Sequence, residues 1–102
     1  MSKTNEKYGL PLRVITSLTA IIKRHPAVKE VILYGSRAKG NYQPGSDIDL
    51  CLIAPLLTLQ EQSIIENELD DLLLPWKIDL SVKHKIESQE LLEHIDRVGI
   101  LL

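Results

Sequence analysis

Val31-Ile32-Leu33-Tyr34-Gly35-Ser36, ten further residues from Arg37 to Ser46, and then Asp47-Ile48-Asp49-Leu50-Cys51-Leu52-Ile53 form the stretch on which the reading of this chain turns. The continuously apolar run Val31 to Tyr34, stopped by Gly35, fits a short strand buried on both faces. Residues 36–46 hold glycines, a proline and polar side chains, and so read as a loop with one helical turn near Arg37-Ala38-Lys39. Asp47 to Ile53 predicts a second strand, ended by Pro55. Residues two apart on a strand face the same way, so Asp47 and Asp49 share one face and Ile48, Leu50 and Leu52 the other.

Upstream, Val14, Ile15, Leu18, Ile21 and Ile22 recur at helical spacing between Pro11 and Arg24, with Pro26 just beyond. Residues 1–9 are expected to be a flexible N-terminal segment. Downstream, Thr58-Leu59-Gln60-Glu61 has the form of a capping box. It opens a helix whose buried face would be Ile64, Ile65, Leu69, Leu72 and Leu73, ended by Pro75. Lys77-Ile78-Asp79-Leu80-Ser81-Val82 alternates, which puts Ile78, Leu80 and Val82 on one face of a third strand and Asp79 on the other. Ser88 can cap a last helix lined by Leu91, Leu92, Ile95 and Val98, with Gly99 as its stop and Ile100-Leu101-Leu102 as an apolar tail. The order helix, strand, loop, strand, helix, strand, helix predicts an α+β domain with α/β character, a small sheet packed by helices, spanning residues 1–102.

The chain has 102 residues, 44% hydrophobic and 25% charged, with a net charge of −2, which suits one globular domain with one core. No second domain fits, so a large acceptor substrate would be held by another subunit or protein. No apolar run has the length of a signal peptide core or a membrane span, so the cytoplasm is the expected location. A single cysteine, Cys51, forms no internal disulfide. Lysines and arginines are scattered among acids, giving no continuous basic face for bulk nucleic acid, although a nucleotide needs only a local site.

Two carboxylates on one patch repel, and a divalent cation between them removes the conflict. Oxygen-only ligands favour Mg²⁺ or Mn²⁺ over zinc. Asp79 adds a third acid; if its strand neighbours that of Asp47 and Asp49, the three can hold two ions roughly 3.5–4 Å apart, as in-line phosphoryl displacement uses. The same Asp79 could instead accept the proton of an attacking hydroxyl. Gly35-Ser36 lets the backbone turn sharply beside a ligand, so that N–H groups and the Ser36 hydroxyl reach a triphosphate, with Arg37 and Lys39 as nearby cations.

Each element alone has a plainer explanation. Asp-x-Asp fits a turn entering a strand, Glu66, Glu68, Asp70 and Asp71 read as the wet side of a helix, and Cys51 as a small buried filler. Trp76 is expected as a core or interface anchor, and Tyr42 as solvent-exposed. Ser36 lacks the surroundings of a hydrolytic nucleophile, and His25, His84 and His94 have no readable relation to it. No single structural need produces the whole combination of turn, aspartate pair and third aspartate.

The segment Gly35-Ser36-Arg37-Ala38-Lys39-Gly40-Asn41-Tyr42-Gln43-Pro44-Gly45-Ser46-Asp47-Ile48-Asp49 resembles the Gly-Ser, ten residues, Asp-x-Asp signature of the DNA polymerase beta nucleotidyltransferase superfamily. The short length resembles its minimal nucleotidyltransferase branch, and Leu74-Pro75-Trp76-Lys77-Ile78-Asp79-Leu80 sits where that branch carries its third carboxylate strand. The resemblance implies a mixed sheet flanked by helices, two Mg²⁺ ions and ATP as donor. It implies Asp47, Asp49 and Asp79 as catalytic metal ligands, and Gly35, Ser36 and Arg37 as nucleotide-binding residues. It further implies an antitoxin role, in which AMP passes to a tyrosine of a HEPN toxin held in a hetero-oligomer. Two alternatives stand beside it: a non-catalytic module that neutralises its partner by occlusion, and nucleotidyl transfer to a small molecule such as an aminoglycoside, for which a homo-oligomer could build the pocket.

Overall fold

The computed structural model describes residues 5–102. It shows a short hairpin of β1 (Glu6–Lys7) and β2 (Leu10–Pro11), then α1 (Leu12–Lys23), β3 (Glu30–Tyr34), α2 (Ser36–Lys39) and β4 (Ile48–Ile53). There follow α3 (Leu59–Asp70), β5 (Ile78–Val82), a 3₁₀ turn (Lys83–Lys85), α4 (Gln89–Val98) and β6 (Ile100–Leu101). The main sheet has the order β5-β4-β3-β6. β4 and β5 run parallel, with α3 as the crossover, and β3 is antiparallel to both β4 and β6. It is therefore the mixed sheet flanked by helices that the sequence led us to expect.

Alternation decides which helix covers which face. Val31 and Leu33 of β3, Ile48, Leu50 and Leu52 of β4 and Val82 of β5 point to one side and join Val14, Leu18 and Ile22 of α1 and Ile65 and Leu69 of α3 in the main core. Tyr34 and Cys51 point to the other side, where Ile95 of α4 packs on them with Ile32, Ile86 and Leu91 around it. Cys51 is a free, fully buried thiol, as the filler reading requires. The aspartates share this second face, and α4 stands beside them.

Helix ends follow their local chemistry. Thr58 and Glu61 form the reciprocal capping box, and Ser88 accepts from the Leu91 amide at the start of α4. α3 ends at Asp70, earlier than the proline at 75 suggests, because the chain turns through Leu73 in a left-handed conformation (φ 53°). Leu73 is consequently 87% exposed, and Ile64 lies at 43%, so neither belongs to the buried face expected of them. His25 and Arg24, past the end of α1, reach Glu68 of α3 at 2.7 and 3.5 Å, which gives one of the supposedly wet acids a tie between helices.

Two further differences concern the termini. Of the segment expected to be flexible, residues 1–4 lie outside the described residues, but Glu6 and Lys7 pair with Pro11 and Leu10. Tyr8 and Gly9, both at positive φ, make the tight two-residue turn that twisted hairpins favour. The apolar tail is the edge strand β6, whose Leu102 amide also donates to the Val31 carbonyl. No helix among the described residues is long and apolar enough to cross a membrane.

Candidate active site

The register of the sheet assembles the site. Tyr34 of β3 lies opposite Asp49 of β4, and Asp49 lies level with Asp79 of β5, so the three form one row across the same face. Neighbouring strands are about 4.8 Å apart, so Asp49 and Asp79 stand side by side on that face, and the charge of Asp79 is felt at Asp49. Asp47, just ahead of β4, stands exposed at the margin of the patch, close enough for its charge to be felt at Asp49. Among the described residues no three His, Cys, Asp or Glu side chains are gathered into a ready-made metal cage. What the fold brings together is a side-by-side pair with a third carboxylate at its rim.

The electrostatics of that pair bear on a cation. Asp49 is half-buried, and burial, followed by the charges of Asp79 and Asp47, pushes its carboxyl from 3.8 up to about 6, with Arg37 acting weakly the other way. A group so strained as an anion is relieved by a hard divalent ion, and the oxygen donor set fits Mg²⁺ or Mn²⁺. The Tyr34 hydroxyl, 3.2 Å from Ser81 Oγ on the same face, is raised by burial and by the two neighbouring aspartates.

Gly35 is the corner of the site. It follows the last paired residue of β3 with φ 77° and ψ −157°, a region open chiefly to glycine, and a Cβ there would collide with the Asp49 carboxylate. The absence of a side chain is what lets Asp49 sit directly on the turn. Ser36 begins α2, whose Lys39 and Gly40 amides bond back to Gly35 and Ser36 carbonyls. The helical turn expected at Arg37-Ala38-Lys39 is thus present, and Lys39 extends exposed from it.

Arg37, expected from the resemblance among the nucleotide-binding residues, is placed inside the loop structure. Its side chain is 1% exposed, and its guanidinium donates to the carbonyls of Ser46 (2.9 and 3.2 Å), Tyr8 (2.9 Å) and Pro44 (3.3 Å). It also lies over the rings of Tyr42 and Trp76, 5.3 and 5.8 Å from their centroids. A cation occupied in this way binds the loop together. Tyr42 is half-buried against it, not simply solvent-exposed, and the Trp76 indole N–H donates to the Pro44 carbonyl at 2.9 Å. Arg37 therefore ties the hairpin, the loop leading to Asp47 and the entry to β5 into one unit.

His94 was missed. Its Nε2 accepts the Gly35 amide at 3.1 Å and its ring meets Tyr34 edge-on, with centroids 6.0 Å apart. A signal was available: positions 91, 94, 95 and 98 share a helical face, so His94 belongs to the stripe that packs on the sheet.

The fold is shared with chains of solved toxin-antitoxin complexes. A chain from a toxin-antitoxin crystal structure with AMP-PNP has a TM-score of 0.68 at 22% identity, over 90% of this chain and 72% of that one. A chain from the complex of tri-AMPylated Shewanella oneidensis HEPN toxin with MNT antitoxin gives 0.62 at 19%, over 88% and 68%. One from the MntA-HepT toxin-antitoxin gives 0.61 at 19%, with the same coverage of 88% and 68%. Among curated proteins none matches the sequence closely enough to count as a relative. The sequence pattern of the family described as the nucleotidyltransferase domain matches residues 14–98, from the first helix to the end of α4 and across the whole carboxylate row, and the chain belongs to that family.

Proposed function

We propose that this chain transfers AMP from ATP to a tyrosine hydroxyl of a partner HEPN toxin, as the antitoxin of the pair, in the manner of a minimal nucleotidyltransferase. The attacking oxygen bonds to the α-phosphorus as the α–β bridging bond breaks; pyrophosphate leaves, and the hydroxyl proton passes to a carboxylate. Asp47, Asp49 and Asp79 would hold two Mg²⁺ ions, or Mn²⁺ in their place, which supply the neutralisation of charge that a triphosphate needs. Ser36 and the turn after Gly35 would hold the triphosphate, with exposed Lys39 as the nearby cation. Asp79, exposed on the edge strand, would be open to the incoming hydroxyl.

The observation that carries this reading is the level pairing of Asp49 with Asp79 beside the Gly35 turn. The partner class is supported by the toxin-antitoxin complexes that share the fold, one of which contains an AMPylated toxin. The test is incubation with Mg²⁺, ATP labelled at the α-phosphate and the cognate HEPN protein. Label should appear on the partner and fall by at least about 10²-fold with Asp79→Asn, the scale of losing an electrostatic catalytic group. A wild-type protein that labels no cognate partner ends the proposal.

A second reading, neutralisation by occlusion, draws support from Leu56 and Leu59, which are 81% and 73% exposed and suit a protein interface. The double variant Asp47→Asn with Asp49→Asn separates the two. Occlusion survives it, whereas catalysis loses neutralisation while the complex still forms.

A further inference from the structure

We propose that His94 is a positioning residue for nucleotidyl transfer, holding the Gly35–Ser36 turn in place against Asp49; this rests on the transfer reading above. The Gly35 amide lies just beyond Tyr34, the last residue of β3 paired with β4. The His94 imidazole takes it at 3.1 Å. An amide left free at that point would seek water or a phosphate oxygen, and the turn would lose the bond that fixes its angle.

Three consequences follow. The Gly35 N–H is already engaged and is not one of the donors for the triphosphate, which leaves the Ser36 hydroxyl and the amides after it. The accepting Nε2 requires the ring proton on Nδ1, so the imidazole works here as a neutral acceptor. Finally, the ring is steadied edge-on against Tyr34, and Ile95 and Leu91 seat α4 on the Tyr34–Cys51 patch. One hydrogen bond therefore connects the placement of a whole helix to the glycine on which the Asp49 carboxylate rests. His94 is itself half-exposed, and the packing of α4 depends on its apolar neighbours.

Three substitutions test this. The amide oxygen of His94→Gln can reach the place of Nε2, the shorter His94→Asn stops a bond short, and His94→Ala removes the acceptor. Each is assayed for kcat and KM of AMP transfer, for thermal midpoint, and for hydrogen exchange of the Gly35 amide in the nucleotide-free protein. The Ala and Asn variants should lose about 10–100-fold in kcat/KM, the scale seen when a group supporting a ligand shell is removed, with faster Gly35 exchange and a near-normal midpoint. The Gln variant should recover most of the rate and of the protection. A Gln variant no better than Asn in both measurements overturns the proposal, including the case in which the Ala variant fails to fold. If wild type exchanges its Gly35 amide slowly but labels no acceptor, the transfer reading has failed, and this role for His94 fails with it.

Discussion

Asp49→Asn should make the metal-free protein more stable while removing its activity. The Asp49 carboxyl is raised from 3.8 to about 6 by burial and by Asp79 and Asp47. At about 1.4 kcal/mol per pH unit, the ionised group costs the fold at most about 3 kcal/mol, and solvent screening at a partly exposed position reduces that to roughly 1–2 kcal/mol. The sign follows from linkage: an acid whose folded value exceeds its unfolded value carries no cost below about pH 4, a growing cost from about pH 4 to 6, and the full cost above that. The asparagine amide, close in shape and uncharged, should therefore raise the thermal midpoint by on the order of 5–10 °C at about pH 7.5, and progressively less toward about pH 4. Thermal unfolding in chelator across that range reads the effect. Adding Mg²⁺ should stabilise the wild type and close the gap, because a ligand of the folded state alone raises its stability. A variant no more stable than wild type near neutrality, or one whose advantage is the same at every pH, would refute the account of the carboxylate row.

Gly35→Ala should cost about 2 kcal/mol or more in urea unfolding, since a side chain must adopt positive φ and displace Asp49, and transfer should be lost in the protein that does fold. Arg37→Lys should destabilise by roughly 2–3 kcal/mol, because a point charge cannot serve the carbonyls of Tyr8, Pro44 and Ser46 at once. The KM for ATP of the folded fraction should stay near that of wild type; a stable variant with a much higher KM would return Arg37 to the phosphates.

The acidic row and the glycine corner illustrate one compromise. A patch that gathers carboxylates around a half-buried Asp49 is unfavourable for the isolated fold. The surrounding structure overcomes it with two well-packed sheet faces and with Arg37, whose hydrogen bonds lock the loop that delivers Asp47. The most stable arrangement and the most useful one for binding a cation differ at Asp49.

Period-two alternation in Asp47–Ile53 and Lys77–Val82 was enough to divide the aspartates from the core residues, because a strand leaves its side chains only two directions. The Gly-Ser turn, the capping box at Thr58 and the cap at Ser88 were legible for the same reason: each is a local rule satisfied within a few residues. Nothing local fixes a register between strands far apart in the chain, so the pairing of Asp49 with Asp79 and the capture of Ile100–Leu101 by β3 belong to the tertiary structure. The same holds for Arg37, which reads as a free cation until Tyr8, Pro44 and Ser46 close around it, and for His94, 59 residues from the amide it accepts. Sequence set which residue types were available and which way each pointed; long-range packing, where charge and hydrogen-bonding groups must find partners away from water, determined which of them meet.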